Sequence, residues 1–182
     1  MYSGGAVAYA AYGEGGYPMS PTEILLDAFF AAVAGTGFGT ISDPPANALP
    51  RIACLAAVGH ALRFVLMHWG MDIATASFIA GFAIGSCSLI LARQISVPMT
   101  ILYIPALLPM IPGIYAYKTV FSLIMFLQSL GDTQRSFSYI QSFFLNATVS
   151  TTVVAFLGAG AALPTFIFKK LSHALSRPPR NS

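Results

Sequence analysis

The sequence predicts an all-α polytopic membrane bundle of about five transmembrane helices, the fourth broken by proline and glycine. Three observations carry this. Of 182 residues, 56% are hydrophobic and only 8% charged, whereas an ordinary soluble domain carries about 25% charged residues. Mean hydropathy is +0.73, so too few polar groups remain to cover a water-facing surface. The apolar residues also fall in runs of roughly 20, the length that crosses a hydrocarbon core of about 30 Å. Disorder is excluded by the same arithmetic, since it needs low hydrophobicity and high charge. The length suits one domain.

Residues 1–21 stand apart as a flexible N-terminal extension. They hold five glycines and four tyrosines but neither Lys nor Arg. A secretory signal needs a basic region before its apolar core, and none is present. Ser20-Pro21-Thr22-Glu23 opens the first run, with Thr22 as the expected N-cap and Glu23 favouring the positive helix end. That run continues to about Thr40 and stops at Ser42-Asp43-Pro44-Pro45. The second goes from about Leu49 to Trp69. Gly70-Met71-Asp72 is a tight connection to the third, from about Ile73 to Ala92, which Arg93-Gln94 closes.

The fourth run, Val97 to Leu127, is too long for one straight span. Pro98, Pro105, Pro109, Pro112 and Gly113 interrupt it. Proline inside a helix removes a hydrogen bond and clashes with the preceding turn. In lipid the freed carbonyls cannot find water, so the break must face protein or a wet cavity. Gln128–Ser142 is polar and reads as a loop. The last run, Phe143 to Phe168, is expected to break at Gly158, Gly160 and Pro164. A basic cytoplasmic tail follows, the bundle itself covering residues 22–170 and the tail 171–182.

Five spans put the two ends on opposite sides. With the tail inside, the cytoplasmic segments hold Arg51, Arg93, Lys169, Lys170, Arg177 and Arg180, and the outer segments only Arg135. The positive-inside rule then favours N-out, C-in. Four spans with one re-entrant run would reverse the N-terminus. This scatter of basic residues suits topology and gives no reason to expect nucleic acid. Cys54 and Cys87 lie in apolar runs without metal-ligand spacing, and are expected to be small buried helix residues.

Charges at membrane depth are functional candidates by default. Asp27, His60, Arg63 and Lys118 qualify. His60 and Arg63 are three apart and share a helix face. Asp27 and Arg63 lie at similar depths, so an Asp27–Arg63 ion pair is expected, whether as a structural staple or as transport machinery. His60 suits proton relay or a bond to a substrate carboxylate, beside the blander reading of a neutral, satisfied imidazole. Lys118 follows the break and can snorkel along a cavity. His68 and Trp69 suit an interfacial anchor.

The strongest local signal is Ile104-Pro105-Ala106-Leu107-Leu108-Pro109-Met110-Ile111-Pro112-Gly113. Discontinuous membrane helices expose backbone dipoles near the midplane, and helix N-termini there attract carboxylates. Pro112-Gly113 would start a second half-helix, whose Tyr115 and Tyr117 could donate hydroxyls to a ligand. The plainer reading is a kink that shapes packing. The substrate-binding or transport candidates are therefore Asp27, His60, Arg63, Pro109, Pro112, Gly113, Tyr115, Tyr117 and Lys118. No catalytic constellation or metal-ligand cluster is evident, and no cofactor or enzymatic activity is expected.

In order and spacing these features resemble the small subunit of the two-component threonine/serine exporter family, which has succinate-exporter small subunits among its bacterial members. The residues are Asp27 with Gly37-Phe38, Gly59-His60-x-x-Arg63, Phe78-Ile79-Ala80, Ala92-Arg93 before Pro98, and Pro109-Met110-Ile111-Pro112-Gly113-Ile114-x-Ala116-Tyr117. Pro164 and basic residues close the match, which covers about residues 22–170. The N-terminal extension departs from the short members. The resemblance implies a multi-pass protein of the bacterial inner membrane that works with a larger membrane subunit. It implies export of succinate-like dicarboxylates or of threonine and serine. Oligomerisation is expected for so small a chain. The alternative is a self-sufficient homo-oligomeric pore or channel.

Overall fold

The computed structural model describes residues 20–168. The extension at 1–21, apart from its last two residues, and the basic tail at 171–182 lie outside the described residues. The described residues form helices joined by short connections, in the order the apolar runs dictate. Helix α1 spans Pro21–Thr40, α2 Leu49–His68 and α3 Ile73–Gln94. The fourth run becomes α4 (Met99–Leu107), a 3-10 turn (Leu108–Met110) and α5 (Gly113–Gln128). Helix α6 spans Thr133–Ile167.

Local chemistry sets the starts. Ser20, with extended backbone, precedes Pro21 at the first helical position, where proline's missing N–H costs nothing. Thr22 is therefore not the cap: it sits inside the first turn, its hydroxyl 2.5 Å from that of Ser20. Asp72 caps α3 by accepting from the Thr75 N–H at 2.8 Å. Asp132 caps α6 through the N–H groups of Gln134 and Arg135.

Four helices are individually long and apolar enough to cross a membrane. The pair Met99–Met110 and Gly113–Gln128 reaches that standard jointly and bends by 55° at the break. Read as one broken span, it brings the crossings to five. Pro105 is carried within α4 without breaking it; the break falls at Ile111–Pro112, where Ile111 is extended (φ −63°, ψ 126°), as steric contact with a following proline demands.

The last run corrects two expectations. The polar stretch 128–142 is mostly helix, because α6 starts at Thr133, and α6 runs unbroken through Gly158, Gly160 and Pro164. At 35 residues it is about 52 Å long, well beyond one bilayer core. Gly160, with Gly81 and Gly85 of α3, serves packing. A Cβ added at Gly81 of α3 would lie 2.6 Å from the Leu157 carbonyl oxygen, and one at Gly85 or Gly160 would be closer still to the Ala161 or Phe78 carbonyl. The two backbones touch, as small residues four apart permit in membrane helix pairs.

Helices α1 and α2 form an antiparallel hairpin, α3 packs on α2 and most extensively on α6, and α4 closes against α1, α2 and α3. Ile52, Ile84, Leu102, Met110, Leu157 and Ala161 form the shared core. Helix α5 packs along α6, and of its residues only Ser122 is buried. Cys54 and Cys87 are in helices as expected but are exposed rather than buried; both lie on outward faces of α2 and α3.

Candidate functional site

Three of the four charges placed at depth meet beside the helix break. Asp27 lies near the start of α1, and the antiparallel hairpin brings it beside the last turns of α2. There His60 and Arg63, three residues apart, project from one face. The Nδ1 of His60 is 2.6 Å from Asp27 Oδ2, and the two side chains are 18% and 25% exposed. Arg63 Nη2 is 3.2 Å from His60 Nε2, and Arg63 Nη1 donates to the Met110 carbonyl at 2.6 Å.

The donor inventory fixes the direction of each bond. A guanidinium can only donate, so His60 Nε2 accepts and carries no proton. An ionised carboxylate can only accept, so Nδ1 donates its proton to Asp27. The imidazole is thus neutral, in the Nδ1–H tautomer, and passes the influence of the Asp27 carboxylate to Arg63. The expected direct Asp27–Arg63 ion pair is not formed. Among the described residues Asp27 meets the neutral His60 through a hydrogen bond, and the exposed Asp132–Arg135 contact is a charged pair. The imidazole occupies the space between carboxylate and guanidinium, so the two charges meet only through it.

Two further features complete the site. Met110, the last residue of the 3-10 turn, is fully buried. Gly59 lets it approach: a Cβ there would lie 2.6 Å from Ile84 Cγ1 and 3.1 Å from Met110 Cε. The sequence singled out Gly59 only as a neighbour of His60, and the Met110 carbonyl not at all. A glycine directly before an intramembrane His was the available sign that another element comes close.

Pro109 lies half-buried in the 3-10 turn and Pro112 is buried as the N-cap of α5. Gly113 is exposed, and its N–H turns back onto the Ile111 carbonyl at 2.8 Å, so this N–H of the half-helix start is already engaged. Tyr115 is half-buried in the first turn of α5, its carbonyl accepting from the Thr119 hydroxyl at 2.8 Å. Tyr117 is exposed and stacks on Phe121 with ring centroids 6.0 Å apart. Lys118 is half-buried on α5 and has no ion-pair partner among the described residues. Tyr117 and Lys118 thus belong to the α5–α6 layer. A cavity of about 350 Å³ opens at the turn between those helices, lined by Gln128, Asp132, Arg135 and Tyr139 among others; none of the relay residues lines it.

A bundle of membrane-length helices around a polar relay, set against a break in one of them, defines a multi-pass membrane protein. The comparison with protein families makes this specific. The model described as Threonine/Serine exporter, ThrE matches residues 27–167, and the chain belongs to that family. An uncharacterized protein of Haemophilus influenzae is 33% identical over 146 residues, covering 80% of this chain and 48% of the relative. The chain spans about half the length of that curated relative. No solved structure matches.

Proposed function

We propose that the chain is the smaller membrane subunit of an exporter that carries small carboxylated metabolites out across the bacterial inner membrane. Threonine and serine are the first candidates and a dicarboxylate such as succinate the next. The observation that carries this reading is the state of Arg63. Its two terminal nitrogens rest on neutral acceptors, a carbonyl and an imidazole, with the compensating carboxylate one residue removed. An arriving carboxylate offers the same two nitrogens a charged, bidentate partner, the stronger arrangement for a guanidinium.

A larger partner chain fits the relation to the Haemophilus influenzae protein, whose length is about twice the matched region. The self-sufficient homo-oligomer remains the second reading, favoured by the exposed Ile114, Val120, Phe121, Ile124 and Leu127 of α5. Efflux of threonine, serine and succinate from cells lacking the chain tests the function. Slower efflux of one of them, restored by the wild-type chain and not by Arg63→Gln, supports it; unchanged efflux of all three refutes it. Flux through the purified chain alone in liposomes would favour the homo-oligomer.

A further inference from the structure

We propose that Arg63 latches the helix break, that His60 is the positioning residue that keeps the latch shut, and that a proton reaching His60 Nε2 opens it. The latch acts on the conformation of the break, whatever the cargo.

The break leaves the Met110 carbonyl short of a helical partner. The N–H groups around it go elsewhere: Ile111 to Leu108, Gly113 to Ile111, Tyr115 and Ala116 to Pro112. The partner of the Met110 carbonyl is Arg63, at 2.6 Å. Met110 is fully buried, and a buried carbonyl away from water is costly to leave unpaired. Arg63 therefore ties the 3-10 turn to α2, a bond between residues 47 apart in sequence.

The same guanidinium is held from its other side by His60 Nε2. That bond exists only while Nε2 keeps its lone pair. A second proton places an N–H and a positive charge against the Nη2 donor of Arg63, and the guanidinium must withdraw. The groups facing the imidazole are Asp27 from α1 and Arg63 from its own helix. Glu23 lies one turn before Asp27 and is exposed. Helix α3 carries Asp72 and Arg93 at its two ends and the exposed Cys87, α4 offers Tyr103, and the 3-10 turn carries no titratable group. Asp27 remains as the acceptor for Nδ1–H in either state, so the imidazole keeps its place while its far nitrogen switches.

The test reads the break directly. In the full chain, in membranes, Cys54 and Cys87 are replaced by Ser and Ile111→Cys serves as reporter, since Ile111 is 42% exposed between Met110 and Pro112. Its alkylation by N-ethylmaleimide is timed from about pH 8 to about pH 5, across the range in which imidazoles change charge. His60→Gln is the reference at each pH. Its amide accepts from Arg63 and donates to Asp27 but cannot take up a proton. The ratio of the two rates cancels the thiol's own ionisation.

The ratio is expected near one at the alkaline end and to rise roughly tenfold toward the acid end, the scale of a lost hydrogen bond to a charged group. Arg63→Gln is expected to label fast at every pH. A flat ratio, or Arg63→Gln labelling at the wild-type rate, overturns the latch. Where Arg63→Gln fails to reach the membrane, Arg63→Lys gives the same readout: its donors sit on one nitrogen of a shorter side chain and do not reproduce the two-nitrogen fork that spans both acceptors, so faster labelling supports the latch and wild-type labelling overturns it. A latch confirmed in a chain that exports nothing would sink the proposed function and leave this inference standing.

Discussion

His60 Nδ1 lies 2.6 Å from the Asp27 carboxylate, and this contact makes the relay sensitive to what replaces the acid. Asp27→Asn keeps an oxygen to accept from Nδ1–H, whereas Asp27→Ala leaves a half-buried donor with nothing to meet. Asp27→Ala is expected to lower the unfolding free energy by about 1–3 kcal/mol, the cost of a stranded polar group. Asp27→Asn should cost less than half of that. Thermal unfolding of both variants in mild detergent checks the order; equal losses would show that the hydrogen bond contributes little.

Exchanging the two charges should rescue nothing. In Asp27→Arg/Arg63→Asp the imidazole still stands between the partners. The Met110 carbonyl also loses its donor, because a carboxylate can only accept. Each single change is expected to reduce efflux by roughly tenfold or more, as for the loss of a charged hydrogen bond, and the double change to remain as low. Recovery of efflux in the double variant would restore the simple ion pair.

The contact between α3 and α6 makes a contrast prediction. Gly85→Val places new atoms against the Ala161 backbone, whereas a Cβ at Gly158 meets nothing within 4 Å. Overpacking of this kind typically costs about 1–3 kcal/mol. A melting midpoint markedly lower for Gly85→Val, with Gly158→Ala near wild type, is the expected result in detergent.

Asp72 gives the pH dependence outside the spans. The Thr75 hydrogen bonds, side chain first and backbone next, hold its carboxyl below the ordinary carboxylate range. A depressed folded-state value means that the cap's contribution is present at neutral pH. It is lost as pH falls through and below that range. Asp72→Ala should remove about 0.5–2 kcal/mol at pH 7 and have a smaller effect in strong acid. A variant effect independent of pH would contradict the cap.

The four runs that became α1 to α5 were legible because hydropathy and proline act locally. The break at Ile111–Pro112 is one that two rules about proline allow, although the same rules apply at Pro105, which α4 carries unbroken. Helix α6 was misread for the same reason. Hydropathy reports lipid contact and not helicity, so polar residues 133–142 looked like a loop, although Asp132-Thr133-Gln134-Arg135 offered a capping signal. Gly160 and Pro164 looked like breakers because the sequence does not show α3 lying against them. In the site, the spacing of His60 and Arg63 gave a common face. It could not say which of the two stands nearer Asp27, since that depends on how α1 rotates against α2. The role of Met110 was invisible, because its backbone carbonyl and not its side chain takes part.

The central claim is that Arg63 receives the carboxylate of an exported metabolite. Uptake of radiolabelled threonine into inverted membrane vesicles, from cells expressing the chain with its natural neighbours, tests it most directly. Unlabelled serine and succinate serve as competitors. Uptake is expected with the wild-type chain, with competition by at least one of the two, and is expected to be lost with Arg63→Gln present at equal abundance. Equal uptake in the wild-type and Arg63→Gln vesicles would contradict it.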